Sequence, residues 1–294
     1  MIDLHTHTTA SDGRLSPVDL VARARNAGVT VLSVTDHDTV AAAAAADAAC
    51  RQAGIDFVTG IEITAIRDGL DVHILGYFVD RDSPALNAFL AGMRRQRIDR
   101  VREMVHRLAQ LGMVLDADAI LVPVLDDPEK SIGRPFIARA LVAAGHASDM
   151  DDAFNRWLTP GRPAFVPRAG APPADVVARI HDADGIASLA HPGLAGRDDW
   201  IPDLAANGLD AVEAYHSKHD QDATARYLAI AARFGLAVSG GSDFHADEEH
   251  GPSSPGAVTL PRDCFERLEA LAGRQRGRRA ASRASASGST TSSS

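Results

Sequence analysis

Five times along the chain a helix-like segment ends in glycine and a short, mostly apolar run follows: NAGVTVLSVTDHD, QAGIDFVTGIEIT, DADGIASLAHP, ANGLDAVEAYH and RFGLAVSGGSDFH. Gly28, Gly54, Gly185, Gly208 and Gly235 suit the left-handed position that closes many helices, where a side chain is penalised. The runs after them have the length and apolar character of strands buried on both faces of a parallel sheet. Ser16 as N-cap and Pro17 at the first helical position mark the start of the helix before the first join. Repeated α-to-β units argue for an α/β fold, and their number favours a barrel over a small open sheet.

The chain has 294 residues and 45% hydrophobic content, enough for one barrel with an insertion. The rhythm breaks between about residues 83 and 166, which read as helices, including the basic segment MRRQRIDRVREMVHRLAQLG. The expected organisation is therefore a barrel from 1–82 and 167–272 and a helical cap at 83–166 that forms a wall of the substrate pocket. An Arg-rich, then Ser/Thr-rich tail at 273–294 carries too little apolar surface to offset its ordering entropy and is expected to be disordered. The net charge of -9 does not resemble that of a nucleic-acid binder. Two unpaired cysteines, Cys50 and Cys264, argue against a disulfide framework or a thiolate zinc site. No secretory signal and no membrane-spanning apolar run are visible, so a cytoplasmic protein without a membrane partner is expected.

Charged and imidazole side chains fall just after the apolar runs: Asp36 and His37, Glu62, His191, Glu213 with His216, and Asp243 with His245. In parallel α/β barrels the C-terminal strand ends form one rim, so residues far apart in sequence would meet there. The first strand candidate, Ile2–Leu4, runs into His5-Thr6-His7, whose i, i+2 spacing puts both rings on one side of an extended chain. Asp243 and His245 repeat that spacing. Asp12 lies in an SDG turn, where aspartate also occurs for turn-forming reasons alone. Thr35-Asp36-His37-Asp38 ends an apolar strand, a costly place for ionisable groups unless paired or metal-bound. Within it His37 is the preferred ligand, Asp36 an acceptor that fixes an imidazole's tautomer, and Asp38 an N-cap for the alanine-rich helix. Glu62 and His73 interrupt strands, and a lone strand histidine such as His73 is by itself more often structural. His106, His146 and His181 read as structural or solvated, and His250 lies in a polar loop. His216 and His219 follow a strand end at the rim, with His219 the better candidate for a phosphate contact or proton donor.

HTHTTASDG, TDHD, GIEIT, DVHILGY, LAHPG and SGGSDFH, in this order and spacing, resemble the PHP (polymerase and histidinol phosphatase) superfamily. The resemblance spans roughly residues 1–80 and 186–246. It implies a distorted (β/α)7 barrel holding two or three divalent metal ions, with manganese first and zinc or iron as alternatives. It further implies nine ligands: His5, His7, Asp12, His37, Glu62, His73, His191, Asp243 and His245, with Glu62 bridging. A multinuclear site of this kind activates water for in-line attack on a phosphoester, so the expected reaction is attack of a metal-bridging hydroxide on phosphorus. His191 and His219 are the candidate side-chain proton donors. In the insertion, Lys130, Ser131 and Arg134 precede a proline-started helix and are candidates for a second phosphate grip. The basic helix from Arg94 to Arg107 reads as a solvated face. Similar stand-alone PHP proteins imply a nucleotide substrate, foremost removal of the 3′-phosphate of adenosine 3′,5′-bisphosphate. The alternatives are a 5′-to-3′ exonuclease on short 5′-phosphorylated RNA, a histidinol-phosphate-type phosphatase, and a non-catalytic metal-binding module.

Overall fold

A computed structural model describes residues 1–246 and 252–288, with side chains through Gly277. Seven strands follow one another in sheet order: β1 (Ile2–Asp3), β2 (Val31–Val34), β3 (Asp56–Arg67), β4 (Leu70–Tyr77), β5 (Ile186–Leu189), β6 (Ala211–His216) and β7 (Ala237–Gly241). The sheet curls until β7 and the segment after it meet the segment after β1. Leu4 donates to the Gly240 carbonyl at 3.3 Å, and His7 to that of Phe244 at 2.9 Å. Gly241 permits this seam: a Cβ there would lie 2.3 Å from the His5 nitrogen, so only a glycine backbone can approach so closely. The result is a nearly closed seven-stranded barrel: the repeated joins favour a barrel, and the PHP resemblance implies its seven strands.

One strand departs from the expected parallel arrangement. β4 runs antiparallel to both β3 and β5. The cause is the Asp68-Gly69 turn, with φ of +52° and +76°, which folds β3 directly back on β4. Two positive-φ residues in an Asp-Gly pair mark a type I′ hairpin, whose twist matches that of the flanking strands. The hairpin has a consequence for the site. In an antiparallel strand the N-terminal half lies at the rim formed by the C-terminal ends of the others, so His73 joins that rim from early in β4.

Helices α1 (Pro17–Asn26), α2 (Ala43–Ala53), α7 (Pro173–Asp182), α8 (Pro192–Ala195), α9 (Ile201–Ala206) and α10 (Gln221–Phe234) lie in the β–α joins. The Ser16 hydroxyl accepts the Asp19 amide, as an N-cap should. Gly28, Gly54, Gly208 and Gly235 all have positive φ. At the fifth join the left-handed residue is Asp184 (φ +60°), not Gly185, which instead packs where a Cβ would meet Val79 at 2.6 Å.

The insertion comprises α3 (Pro84–Gln110), α4 (Ala117–Asp126), α5 (Arg134–Ala143), α6 (Met150–Ala153) and a π-helical turn, Phe154–Leu158. These helices bury a core of their own around Met104, Leu108, Leu121, Ile137 and Leu141. The basic α3 is not simply a solvated face: Arg97 is buried against Asp38 and Thr64 of the barrel, and Arg100 is buried against Phe165 and Val166. At the opposite end, Phe265 and Leu268 of α11 (Arg262–Gly288) pack with Ile2, Val31 and Ile186 from the starts of the strands. The segment expected to be disordered from 273 continues this helix as far as Gly288. Arginine and alanine are strong helix formers, and a docked first half removes the cost of nucleation.

Candidate metal centre

The chain after β1 stays extended, and Thr6 bridges to Phe244 across the seam. His5 and His7 therefore project to the same side, both buried, as their spacing requires. Glu62, fully buried in the middle of β3, stands at the centre. Its Oε2 lies 3.3 Å from His5 Nε2, 3.3 Å from His7 Nε2 and 3.2 Å from His37 Nδ1. Its Oε1 lies 2.8 Å from His73 Nδ1 and 3.0 Å from His191 Nε2. Asp12 sits 3.3 Å from His245 Nε2 and 3.7 Å from both His7 and His37. Asp243 lies 3.3 Å from His5 and 3.2 Å from His7. All nine nominated residues converge.

Their donor atoms form four overlapping groups, each within 4.8 Å: His7, Asp12, His37 and His245; His5, His216 and Asp243; His5, Glu62 and His191; and His37, Glu62 and His73. The local chemistry suits bound cations. Both ring nitrogens of His7 and the Nδ1 atoms of His37 and His73 are buried without a hydrogen-bond partner among the described residues. Orphaned buried nitrogens are costly unless something accepts their lone pairs or protons. Burial also works against every charge here, and neighbours decide the balance. Burial disfavours charged His7, yet the nearby Asp243 and Glu62 carboxylates push its pKa up to about 10. Burial, with His7 and His73 nearby, pushes His37 down to about 3 although Glu62 and Asp12 oppose this. Glu62 would be raised by burial, but His37, His73 and His5 hold it well below the usual carboxylate range. Buried carboxylates and imidazoles crowded this closely are a donor set that divalent ions would suit.

The PHP domain family matches residues 3–126. The chain is 37% identical over 268 residues to the 3′,5′-nucleoside bisphosphate phosphatase of Chromobacterium violaceum, covering 90% of this chain and 93% of the relative. The chain belongs to the PHP family. It is 36% identical to a 5′-3′ exoribonuclease of Haemophilus influenzae, covering 83% and 89% of the two chains. A solved structure from Bifidobacterium adolescentis, described as that of a metal-dependent phosphoesterase, superposes with a TM-score of 0.83 at 32% identity, over 90% and 94% of the two chains. The protein is accordingly a metal-dependent phosphoesterase, a hydrolase with the barrel fold of its PHP relatives. Among the described residues no helix is long and apolar enough to cross a membrane.

Around the cluster, the carboxylates that steady the converging side chains are not those expected. Asp36 was expected to fix an imidazole. Its oxygens instead accept the Thr8 amide (2.8 Å), the Thr8 hydroxyl (2.6 Å) and the Ser11 hydroxyl (2.5 Å), so it shapes the loop carrying His7 and Asp12. Glu213 on β6 takes the imidazole role. One of its oxygens lies 2.9 Å from His5 Nδ1 and the other accepts the His191 amide at 2.7 Å. That second bond anchors His191 at φ +26°, a backbone angle uncommon for a non-glycine residue. His216 also joins the cluster, with Nε2 3.3 Å from Asp243 and Nδ1 accepting the Lys218 amide. Its position at the end of a strand that also carries Glu213 was the available signal.

Three further expectations are corrected. Asp38 does not cap α2, whose N-cap is Ala42; it is fully buried, accepts the Thr64 amide and pairs with Arg97. His219 does not face the cluster with a free nitrogen: Nε2 accepts the Gly193 amide at 3.2 Å, and Nδ1 donates to the Ala214 carbonyl at 3.0 Å. That leaves no ring proton for a leaving group. Ser131 is buried, and its amide donates to the Ala10 carbonyl, tying the insertion to the Asp12 loop. The Lys130 ammonium lies 4.0 Å from Asp127. Arg139 reinforces the Asp12 loop by donating to the Asp12 carbonyl at 2.6 Å. His181 pairs with Asp210, and His250 lies outside the described residues.

Cavities flank the cluster. One of about 240 Å³ is bounded by Asp12, Asp243 and His245 together with Lys218, Met150 and Phe154. Another, about 170 Å³, is bounded by His73, His191, Asp71, Arg134, Leu194 and Trp200. Arg134, the first residue of α5, is among the residues that bound the second cavity.

Proposed function

We propose that this PHP enzyme hydrolyses a phosphomonoester of a nucleotide, foremost the 3′-phosphate of nucleoside 3′,5′-bisphosphates, giving AMP from the adenosine compound. The observation that carries this reading is the shared cavity of His73, His191 and Arg134. It offers one substrate both part of the cluster and, in its lining, a guanidinium suited to a second phosphate. The similarity to a named bisphosphate phosphatase over nearly the whole chain supports it.

His5, His7, Asp12, His37, Glu62, His73, His191, Asp243 and His245 would hold two or three divalent ions, with manganese the first choice and zinc or iron alternatives. Bound ions of this kind supply Lewis acidity and lower the pKa of water. The protein's own part is positional. Glu62 draws imidazoles from four places in the chain onto one point, and Glu213 fixes two of them. Asp36 and Arg139 hold the Asp12 loop. His191 is the remaining side-chain candidate for handling a proton at the leaving oxygen.

The test is phosphate release from adenosine 3′,5′-bisphosphate by manganese-loaded protein, with the nucleotide identified. Release yielding AMP is expected; no release would overturn the substrate assignment. The second reading is a 5′-to-3′ exonuclease on 5′-phosphorylated RNA, favoured by cavities on two sides of the cluster and by the exoribonuclease relatives. It would show as mononucleotide release from short RNA faster than phosphate release from the bisphosphate.

A further inference from the structure

Behind Arg134, four arginines gather around two aspartates. Arg97 is satisfied: it donates to Asp38, to the Ile132 carbonyl at 3.0 Å and to Thr64 at 3.0 Å, and so fastens α3 to β3. Arg100 and Arg168 are not. Arg100 donates through Nε to the Val166 carbonyl, but its Nη2 is buried without a hydrogen-bond partner among the described residues. Arg168, whose side chain is 9% exposed, has neither Nε nor Nη1 hydrogen-bonded. Its Nη1 stands 3.6 Å from Asp38, and its Nε 3.8 Å from Asp71. Arg134 reaches Asp71 at 3.4 Å and the Leu158 carbonyl at 3.4 Å. Arg100 and Arg134 both lie over the ring of Phe165, at 5.4 and 5.9 Å.

These distances are long for charge-assisted hydrogen bonds, which run near ~2.7–2.9 Å. Three buried N–H groups without acceptors would each cost about 1–3 kcal/mol, which a purely structural network avoids. The charge is unbalanced as well: four guanidiniums against two carboxylates leave an excess of two positive charges. A terminal phosphomonoester carries about -1.5 to -2 near neutrality and three acceptor oxygens, matching both the excess and the orphaned donors. A phosphodiester, with one negative charge, would not balance it. Burial and mutual repulsion accordingly lower the pKa of Arg168 to about 9 and that of Arg100 to about 10.

We propose that Arg100, Arg134 and Arg168 form a site for a terminal phosphomonoester dianion on the substrate, with Asp71 as the counter-ion that holds the arginines apart when no phosphate is bound. The proposal rests on the nucleotide-phosphatase reading and adds Arg100, Arg168 and Asp71 to it. Asp71 and His73 are two residues apart on β4 and face the same side, roughly 6.6 Å along the strand. That step is of the order that one ribose places between two phosphates. The site therefore selects substrates carrying a second, terminal phosphate, and Asp71 tunes how tightly.

The test compares kcat/KM for adenosine 3′,5′-bisphosphate and adenosine 3′-monophosphate in the manganese-loaded chain and its R168K, R100K and D71N variants. The wild type is expected to prefer the bisphosphate at least 100-fold. Arg168→Lys and Arg100→Lys should each cut that ratio at least tenfold, chiefly through KM for the bisphosphate. Asp71→Asn should lower that KM. An unchanged ratio in both lysine variants overturns the site while leaving phosphatase activity intact. A second readout needs no turnover: calorimetric titration of AMP into chelator-treated protein. Binding weakened tenfold or more by Arg168→Lys and strengthened by Asp71→Asn supports the site even if the bisphosphate is not hydrolysed. Equal AMP binding in all three proteins refutes it.

Discussion

Replacing Glu62 with glutamine tests the centre of the site most directly. The substitution preserves volume and exchanges one oxygen for an amide nitrogen, so packing among the buried neighbours is retained. What is lost is the carboxylate that faces five imidazole nitrogens within 3.3 Å. Glu62 belongs to two of the four donor groups, so weakened holding of up to two ions is expected. An ion present at 100 times its dissociation constant stabilises the fold by about 2.7 kcal/mol, so losing two would remove about 5 kcal/mol. At roughly 2–4 °C per kcal/mol for a chain of this size, the manganese-induced rise in Tm should shrink by about 10–20 °C. The assay is thermal unfolding with and without manganese, paired with metal analysis of the dialysed protein. Phosphoesterase activity should fall about 1000-fold or more, since several kcal/mol of charge stabilisation is at stake. A variant that retained the wild-type metal content and the full rise in Tm would refute the central role of Glu62.

Asp38→Asn removes the counter-charge of buried Arg97 and Arg168 and should cost about 3–5 kcal/mol in urea unfolding. Burial opposes Asp38 ionisation, but Arg97 and Arg168 hold its pKa below the ordinary value. Its contribution should therefore be complete above the unfolded pKa of about 3.9 and vanish as pH falls through the lower folded value. A wild-type-minus-variant difference that stayed flat into acid would contradict this. His219→Gln should cost about 1–2 kcal/mol for its two hydrogen bonds and leave both limbs of the pH–rate profile in place; loss of the limb reporting the acid would restore His219 as a proton donor. Gly241→Ala pushes a Cβ against the His5 backbone and should cost about 3 kcal/mol or more, with loss of metal, read from the urea midpoint and metal content. Wild-type stability there would mean that the seam can open without harm.

The strand–helix rhythm was legible because glycine closes helices for a local reason, which held at Gly28, Gly54, Gly208 and Gly235; at the fifth join Asp184 took the left-handed position and Gly185 was kept for close packing. Several of the residues that converge were legible because histidine and carboxylate at apolar strand ends demand an explanation wherever the chain goes, whereas Asp12 and His73 entered the set of nine only through the PHP resemblance. Orientation was harder. β4 reverses because of Asp68-Gly69, a hairpin signal present in the sequence but set within runs that also read as members of a parallel series. A single turn decides it, and with it the route by which His73 reaches the rim.

The carboxylates near the ligands show where such reading stops. Asp36 and Asp38 flank His37, and both sit at a strand end where ionisable groups are costly, yet neither is among the residues that converge on the cluster. Asp36 holds a loop from β1, 25 residues or more away along the chain, and Asp38 meets an arginine 59 residues away. Glu213, unassigned by its motif, reaches His5 across 208 residues. A ligand is defined by its own lone pairs and can be guessed from its type and spacing. A carboxylate that positions a ligand is defined by which donors the fold carries to it. Those donors come from β1, from the turn after β5 and from the insertion, so the role exists only once the barrel has closed.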